Sequence, residues 1–324
     1  MKLRSVFLLA TAVGCTAAAA AQTTSAAATA TSTRFFLDAQ TPQGLRDLFK
    51  PTGEPLPLLS AHRGGAARGL PENCLATFQA TVAHGWSLLE MDLRTTKDGV
   101  IVLMHDPTLD RTSNGTGPVK DRTLAELREL RLKDREGQLT EHRIPTLDEA
   151  MTWARGKAIV MLDKKEVPVR EVVRIVTAHR AESYAMILAY TAAEVRECHT
   201  LNPEIMMEVM LGTRERFEGF SKTGVPWSNV IAFVGHTETP DLELCRQIRA
   251  KGASTMAGTS RNLDREFLTG NVSTVDALRE KFRALLARGV DVIETDIPRE
   301  LAPAIHARQA PTGAKAKFFR VVGQ

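Results

Sequence analysis

The stretch LLEMDLRTTKDGVIVLMHD, residues 88 to 106, holds two short apolar runs separated by the polar hexapeptide from Arg94 to Gly99. Residues two apart in a strand share a face, so Glu90 and Asp92 point the same way, with Leu88 below them. Leu89, Met91 and Leu93 make the other face apolar, as a strand buried on both sides requires, whereas an edge strand would turn its acidic face to water. The hexapeptide reaches roughly 20 Å when extended, about one strand length. It therefore allows a return run and a second parallel strand over 100–105, which would bring His105 to the same end as Asp92. A tight hairpin would, on this reading, leave His105 at the opposite end.

Beyond Pro57, runs of strand length alternate with amphipathic runs of helix length. The candidate strands are 58–62, 87–93, 100–105, 158–163, 184–190, 205–211, 229–234, 252–257 and 290–296. Helical patterns such as LDEAMTWAR, VREVVRIVTAH, PDLELCRQIRAK and VDALREKFRALLARG lie between most of them, the last closed by Gly289. Strand and helix alternation over this length predicts an α/β fold, a single TIM-type (β/α)8 barrel. Nine candidates exceed eight by one, and the surplus is expected at 205–211 or 229–234. A doubly wound open sheet is the alternative, but no GxGxxG follows the first strand.

The 324 residues are 43% hydrophobic and 25% charged, enough for a sizeable core. The net charge of +4 comes from scattered Lys and Arg, which excludes a nucleic-acid stripe. At the N-terminus, Lys2 and Arg4 precede an apolar run from Val6 to Val13, and Ala19-Ala20-Ala21 offers small residues before Gln22. This predicts a signal peptide over 1–21, a disordered Ala/Thr/Ser linker over 22–34 and a folded domain over 35–324. The expected location is periplasmic or secreted, with no transmembrane span in the mature chain. Ala12-Val13-Gly14-Cys15 resembles a lipoprotein box, so a lipid anchor at Cys15 and a place on the outer membrane or cell surface form the alternative. Cys74, Cys198 and Cys245 show no CxxC spacing, which argues against zinc and against a disulfide framework, although one bridge is compatible with an oxidising compartment.

The pair Glu90 and Asp92 is the chemical signal. Burying two carboxylates without a cation costs several kcal/mol or keeps one protonated. A hard divalent cation, Mg²⁺ or Ca²⁺, removes that cost. LPLLSAHRGG ends an apolar run on His62-Arg63 just as IVLMHD ends one on His105, so two strands deliver histidines to the rim where barrel sites form. KAIVMLDKKE places Asp163 and Lys165 on one face, as a third carboxylate and an anion-holding cation, or else as charges of a surface turn.

These residues fall in a known order: HRG at 62–64, PEN at 71–73, E-x-D at 90–92, TKDG at 96–99, HD at 105–106 and RTSNG at 111–115. The pattern resembles the glycerophosphodiester phosphodiesterase family, and GVDVIETDIP, residues 289–298, resembles that family's last barrel strand. The resemblance implies metal-dependent hydrolysis of a small-molecule glycerophosphodiester to sn-glycerol 3-phosphate and an alcohol. It makes His62 and His105 the acid and base, and Glu90, Asp92 and Asp163 the metal ligands. Arg63 and Lys165 become phosphate-binding, with Glu72 and Asn73 supporting the site. Three departures stand out: Asp163 where Glu is common, Cys74 where Thr often follows PEN, and ASTMAGTSRNLD at 253–264 in place of a W-T-V-N strand. Sphingomyelinase D or phospholipase-type activity on the same barrel is the nearest rival, and a non-catalytic binder of phosphorylated metabolites the rival from another class. Glu208 and His236 are expected to be structural.

Overall fold

The computed structural model describes residues 33–53, 58–305, 311 and 313–323. The signal peptide over 1–21, Cys15 and all but the last two residues of the 22–34 linker lie outside the described residues.

Among the described residues eight parallel strands form the barrel: β1 (Leu58–Ala61), β2 (Ser87–Thr95), β3 (Val160–Asp163), β4 (Ala185–Ala189), β5 (Met206–Met210), β6 (Val230–Phe233), β7 (Ser254–Gly258) and β8 (Val292–Thr295). The ring closes because β1 pairs with both β8 and β2. Seven of these strands are only four or five residues long, and almost every residue in them is buried. That follows from their apolar composition on both faces, one filling the barrel and the other meeting helices. Inside lie Leu58, Leu88, Met161, Met186, Met206, Ile231, Met256 and Val292. Outside, helices dock with stripes such as Val169, Val172, Val173 and Val176 of Val169–Ala178. Thr146 and Glu149 cap the helix Leu147–Ala154 reciprocally, a device worth about 1 kcal/mol.

The surplus strand is not where the sequence placed it. Both 205–211 and 229–234 supply barrel strands, β5 and β6, whereas 100–105 contributes Ile101–Leu103, antiparallel to β2. The hairpin closes through Lys97-Asp98-Gly99, with Gly99 at φ 80° and Thr96 N–H donating to the Val100 carbonyl at 2.9 Å. It does not carry His105 to the far end, because β2 runs three residues past Asp92 before it turns. Leu93 pairs with Leu103, and Met104 N–H donates to the Asp92 carbonyl at 2.9 Å. His105 thus returns to the rim by a hairpin standing above the barrel, not by a strand threading back down it.

The N-terminal end of the barrel is closed. Arg34–Leu37 pairs antiparallel with Phe319–Val322, and helix Pro42–Phe49 packs Leu45, Leu48 and Phe49 onto the lowest inward residues. Trp86 is clasped edge-on between Phe35 and Phe319, at centroid distances of 5.0 and 5.3 Å. The strands' C-terminal ends carry the polar residues. Cys74, Cys198 and Cys245 are all buried free thiols.

Candidate active site

After β1 the chain turns tightly through His62–Gly64. Arg63 takes a left-handed φ of 52°, which aims its N–H at Glu90 Oε2, 2.6 Å away. Gly64, at φ 81°, lies against the face of Phe78, and a Cβ there would come within 2.4 Å of the ring. Asn73 and Lys165 are also left-handed, at φ 54° and 47°. Non-glycine residues in that region cost about 1 kcal/mol or more each, and their gathering around one site fits strain held for function. Asn73 N–H donates to the Arg63 carbonyl at 2.9 Å. Its side chain clamps Asp92 twice, the amide donating to Oδ2 at 2.6 Å and the carbonyl accepting from the Asp92 N–H at 3.0 Å.

Glu90, Asp92 and Asp163 are all buried, and one carboxylate oxygen from each lies within 4.8 Å of the others. Register explains it: Asp92 and Asp163 are direct partners across β2 and β3. The ammonium of Lys165 sits between them, 2.7 Å from Asp92 Oδ1 and bonded to Asp163, while Tyr190 donates its hydroxyl to Asp163 at 2.5 Å. Burial drives Glu90 well above the ordinary carboxylate range, helped by Asp92, Asp163 and Glu294. Burial works the same way on Asp92, but Lys165, His105 and Arg63 overrule it and hold Asp92 low. The donor set is oxygen-only and already holds a cationic group, so it fits a hard divalent ion.

The two histidines are tuned in opposite directions. His62 Nδ1 lies 2.7 Å from Asp296 Oδ1; burial acts downward, but this hydrogen bond and the charges of Glu294 and Glu90 push the imidazole up to about 10. His105 Nδ1 lies 2.7 Å from Asp106 Oδ1, yet burial, with Arg63 and Lys165 nearby, keeps His105 below its ordinary value. Asp106 is held ionised by Arg111, which also grips Glu72 with both terminal nitrogens at 2.8 and 2.9 Å. Arg94 Nε donates to the His105 carbonyl at 3.0 Å and fixes the loop.

Each residue named from the sequence lies here: His62, Arg63, Glu72, Glu90, His105, Asp163 and Lys165 line one cavity of about 1010 Å³, with Asp92 and Asn73 buried behind them. Two placements differ from the roles expected. Lys165 is ion-paired to two carboxylates, and the Arg63 guanidinium reaches Glu72 at 3.3 Å, so each points at an acid. Glu208 and His236, expected to be structural, line the cavity. Asp106, Arg111, Tyr190, Glu294 and Asp296 were missed. For Glu294 the signal was a lone acid inside an apolar strand, and Asp106, Arg111 and Asp296 fall within the HD, RTSNG and GVDVIETDIP motifs; Tyr190, in a loop, carried none.

A model of the "Glycerophosphoryl diester phosphodiesterase family" matches residues 62–299. A solved structure of a glycerophosphoryl diester phosphodiesterase from Parabacteroides distasonis is 40% identical, with a TM-score of 0.84, over 89% of this chain and all of that one. A glycerophosphodiester phosphodiesterase of Caldanaerobacter subterraneus is 30% identical over 161 residues, 47% of this chain and 66% of that protein. The mouse glycerophosphodiester phosphodiesterase 1 is 43% identical over 98 residues, 28% of either chain. The matched segments thus cover less than two thirds of these curated relatives' own length.

Proposed function

The chain belongs to the glycerophosphoryl diester phosphodiesterase family, and on that premise we propose that it hydrolyses small glycerophosphodiesters to sn-glycerol 3-phosphate and an alcohol. One observation carries the reading: two histidines, each within 2.7 Å of an aspartate at Nδ1, face one cavity with three clustered carboxylates. Glu90, Asp92 and Asp163 would hold a divalent cation, Mg²⁺ or Ca²⁺. Such an ion supplies charge neutralisation on the non-bridging phosphate oxygens.

His62, kept protonated by Asp296, is placed to give its proton to the leaving alkoxide. His105, neutral and donating its Nδ1–H to Asp106, keeps Nε2 free to accept the proton of the attacking oxygen. Arg63 and Lys165, which line the cavity beside the carboxylates, would offer positive charge to the phosphate. The charged residues Arg111, Lys133, Arg135 and Glu136 along the cavity suit a soluble headgroup. A relative from Oleispira antarctica, 22% identical with a TM-score of 0.56, is described in complex with the product sn-glycerol-3-phosphate, the ligand this cavity is proposed to release. The basic and apolar leader supports export to the periplasm or beyond.

The test is release of sn-glycerol 3-phosphate from glycerophosphocholine and glycerophosphoethanolamine, with and without EDTA, beside His62→Ala and Glu90→Ala. Activity that chelation abolishes and both variants lose by orders of magnitude is expected. A wild type inactive with Mg²⁺ or Ca²⁺ restored, but active on intact phospholipid or sphingolipid, would overturn it in favour of the lipid-acting rival.

A further inference from the structure

Two further buried acids, Glu208 and Glu294, line the same cavity outside the three-carboxylate cluster, and the proposed chemistry leaves Glu208 unused. Glu208, central in β5, is 1% exposed, lines the cavity, and neither carboxylate oxygen has a hydrogen-bond partner. Glu294 of β8 is similarly buried, lines the same cavity, and faces the His236 ring at 4.0 Å. Gly258 of β7 makes room for both, since a Cβ there would fall 2.3 Å from His236 Nδ1 and 3.1 Å from Glu294 Oε1. Its backbone has no left-handed φ, so the glycine is there for space.

An unpartnered buried carboxylate costs folding stability that an apolar side chain of the same size would not. Glu208 is therefore a group whose partner arrives from outside. Burial and the acids around it push Glu208 well above the ordinary carboxylate range, so its partner either exchanges hydrogen bonds with the protonated acid or donates to the carboxylate. A hydroxyl or a primary ammonium qualifies, whereas a quaternary ammonium or an aryl group does not. We propose that Glu208 and Glu294, with His236 beside them, form a subsite that selects hydroxyl or primary-ammonium donors on the substrate, either on its glycerol or on its leaving alcohol. The proposal rests on the phosphodiesterase reading and names the part of the substrate that the subsite selects.

The experiment measures kcat and KM of wild type, Glu208→Gln and Glu208→Met on three diesters. Glycerophosphocholine carries donors on the glycerol only, glycerophosphoethanolamine on both ends, and bis(p-nitrophenyl) phosphate on neither. KM for the glycerol diesters should rise about tenfold or more while the aryl diester is little changed, because a site built around donors discriminates by what it leaves unpaired. Equal losses on the two glycerol diesters place the donor on the glycerol, and loss on the ethanolamine diester alone places it on the leaving alcohol. Losses shared by the aryl diester, or weaker Mg²⁺ binding by calorimetry, overturn the proposal by giving the carboxylates to the cation. Glu208→Met should raise Tm while weakening the glycerol substrates; a lowered Tm would make Glu208 structural and also overturn it. A wild type inactive on all three diesters overturns the phosphodiesterase reading alone. The subsite is then decided by calorimetric binding of sn-glycerol 3-phosphate against methyl phosphate, where equal affinity overturns it and a preference lost in Glu208→Gln supports it.

Discussion

Replacing Asp296 by asparagine removes the anion that keeps His62 protonated while leaving a neutral group of the same shape. Asp296 is the informative perturbation because it lies outside the three-carboxylate cluster, so the change does not touch a cation ligand. In the intact protein His62 stands at about 10. Its protonated form serves as the acid, so kcat/KM should hold to alkaline pH and fall as pH rises through that value. A hydrogen bond to a charged group is worth about 1.5–3 kcal/mol, and each pKa unit is about 1.36 kcal/mol, so its loss lowers His62 by about one to two units. Glu294 and Glu90 remain and keep the ring above its free value. The alkaline limb of Asp296→Asn should therefore fall roughly one to two units below that of wild type, with the acidic limb, set by His105, in place. Profiles of kcat/KM from pH 5 to 11, by sn-glycerol 3-phosphate release, measure both limbs. An alkaline limb identical in the two proteins would refute the assignment of His62 as the acid.

Asn73→Ala deletes both hydrogen bonds that orient Asp92. Affinity for Mg²⁺ or Ca²⁺ should drop about 10- to 100-fold, as when a ligand loses its orienting partner; unchanged calorimetric affinity would separate Asn73 from the cation site. Asp264, buried beneath β8, is raised by burial to about 7 despite accepting from Thr259, Thr295 and the Asp296 N–H. Its folded value lies above its unfolded one, so the folded state binds the extra proton, and stability falls as pH rises from about 4 to about 7, by at most about 4 kcal/mol. Denaturant melts of wild type and Asp264→Asn across that window should converge at low pH and diverge toward neutral in favour of the variant's relative stability; parallel curves would mean that Asp264 titrates normally.

The legible residues share a local signature. His62 and His105 end apolar runs, and Glu90 and Asp92 sit at strand positions where an acid is costly, so period-two alternation and the cost of burial single them out without tertiary information, whereas Asp163 at a strand end read equally well as part of a surface turn. Glu208 and Glu294 carry the same signature within MMEVM and VIET, and were readable by the same rule applied to every strand. Tyr190, Asp106, Arg111 and Asp296 reach the cavity from loops or strand ends, where a charged or aromatic residue is ordinary and no period marks it.

What the sequence determined by itself was a closed β/α barrel, because strands apolar on both faces need a layer within and a layer without. It also determined the chemical type of one end, because carboxylates and histidines in such strands must meet a partner. Tertiary structure decided which strand was surplus, since 100–105 and the true barrel strands have the same composition and differ only in what they pair with. It decided that His105 reaches the site over a hairpin, because the length of β2 beyond Asp92 depends on pairing. It also decided that the histidines lean opposite ways, since a pKa depends on the charges facing the ring, and for His62 two of those, Asp296 and Glu294, come from the far end of the chain.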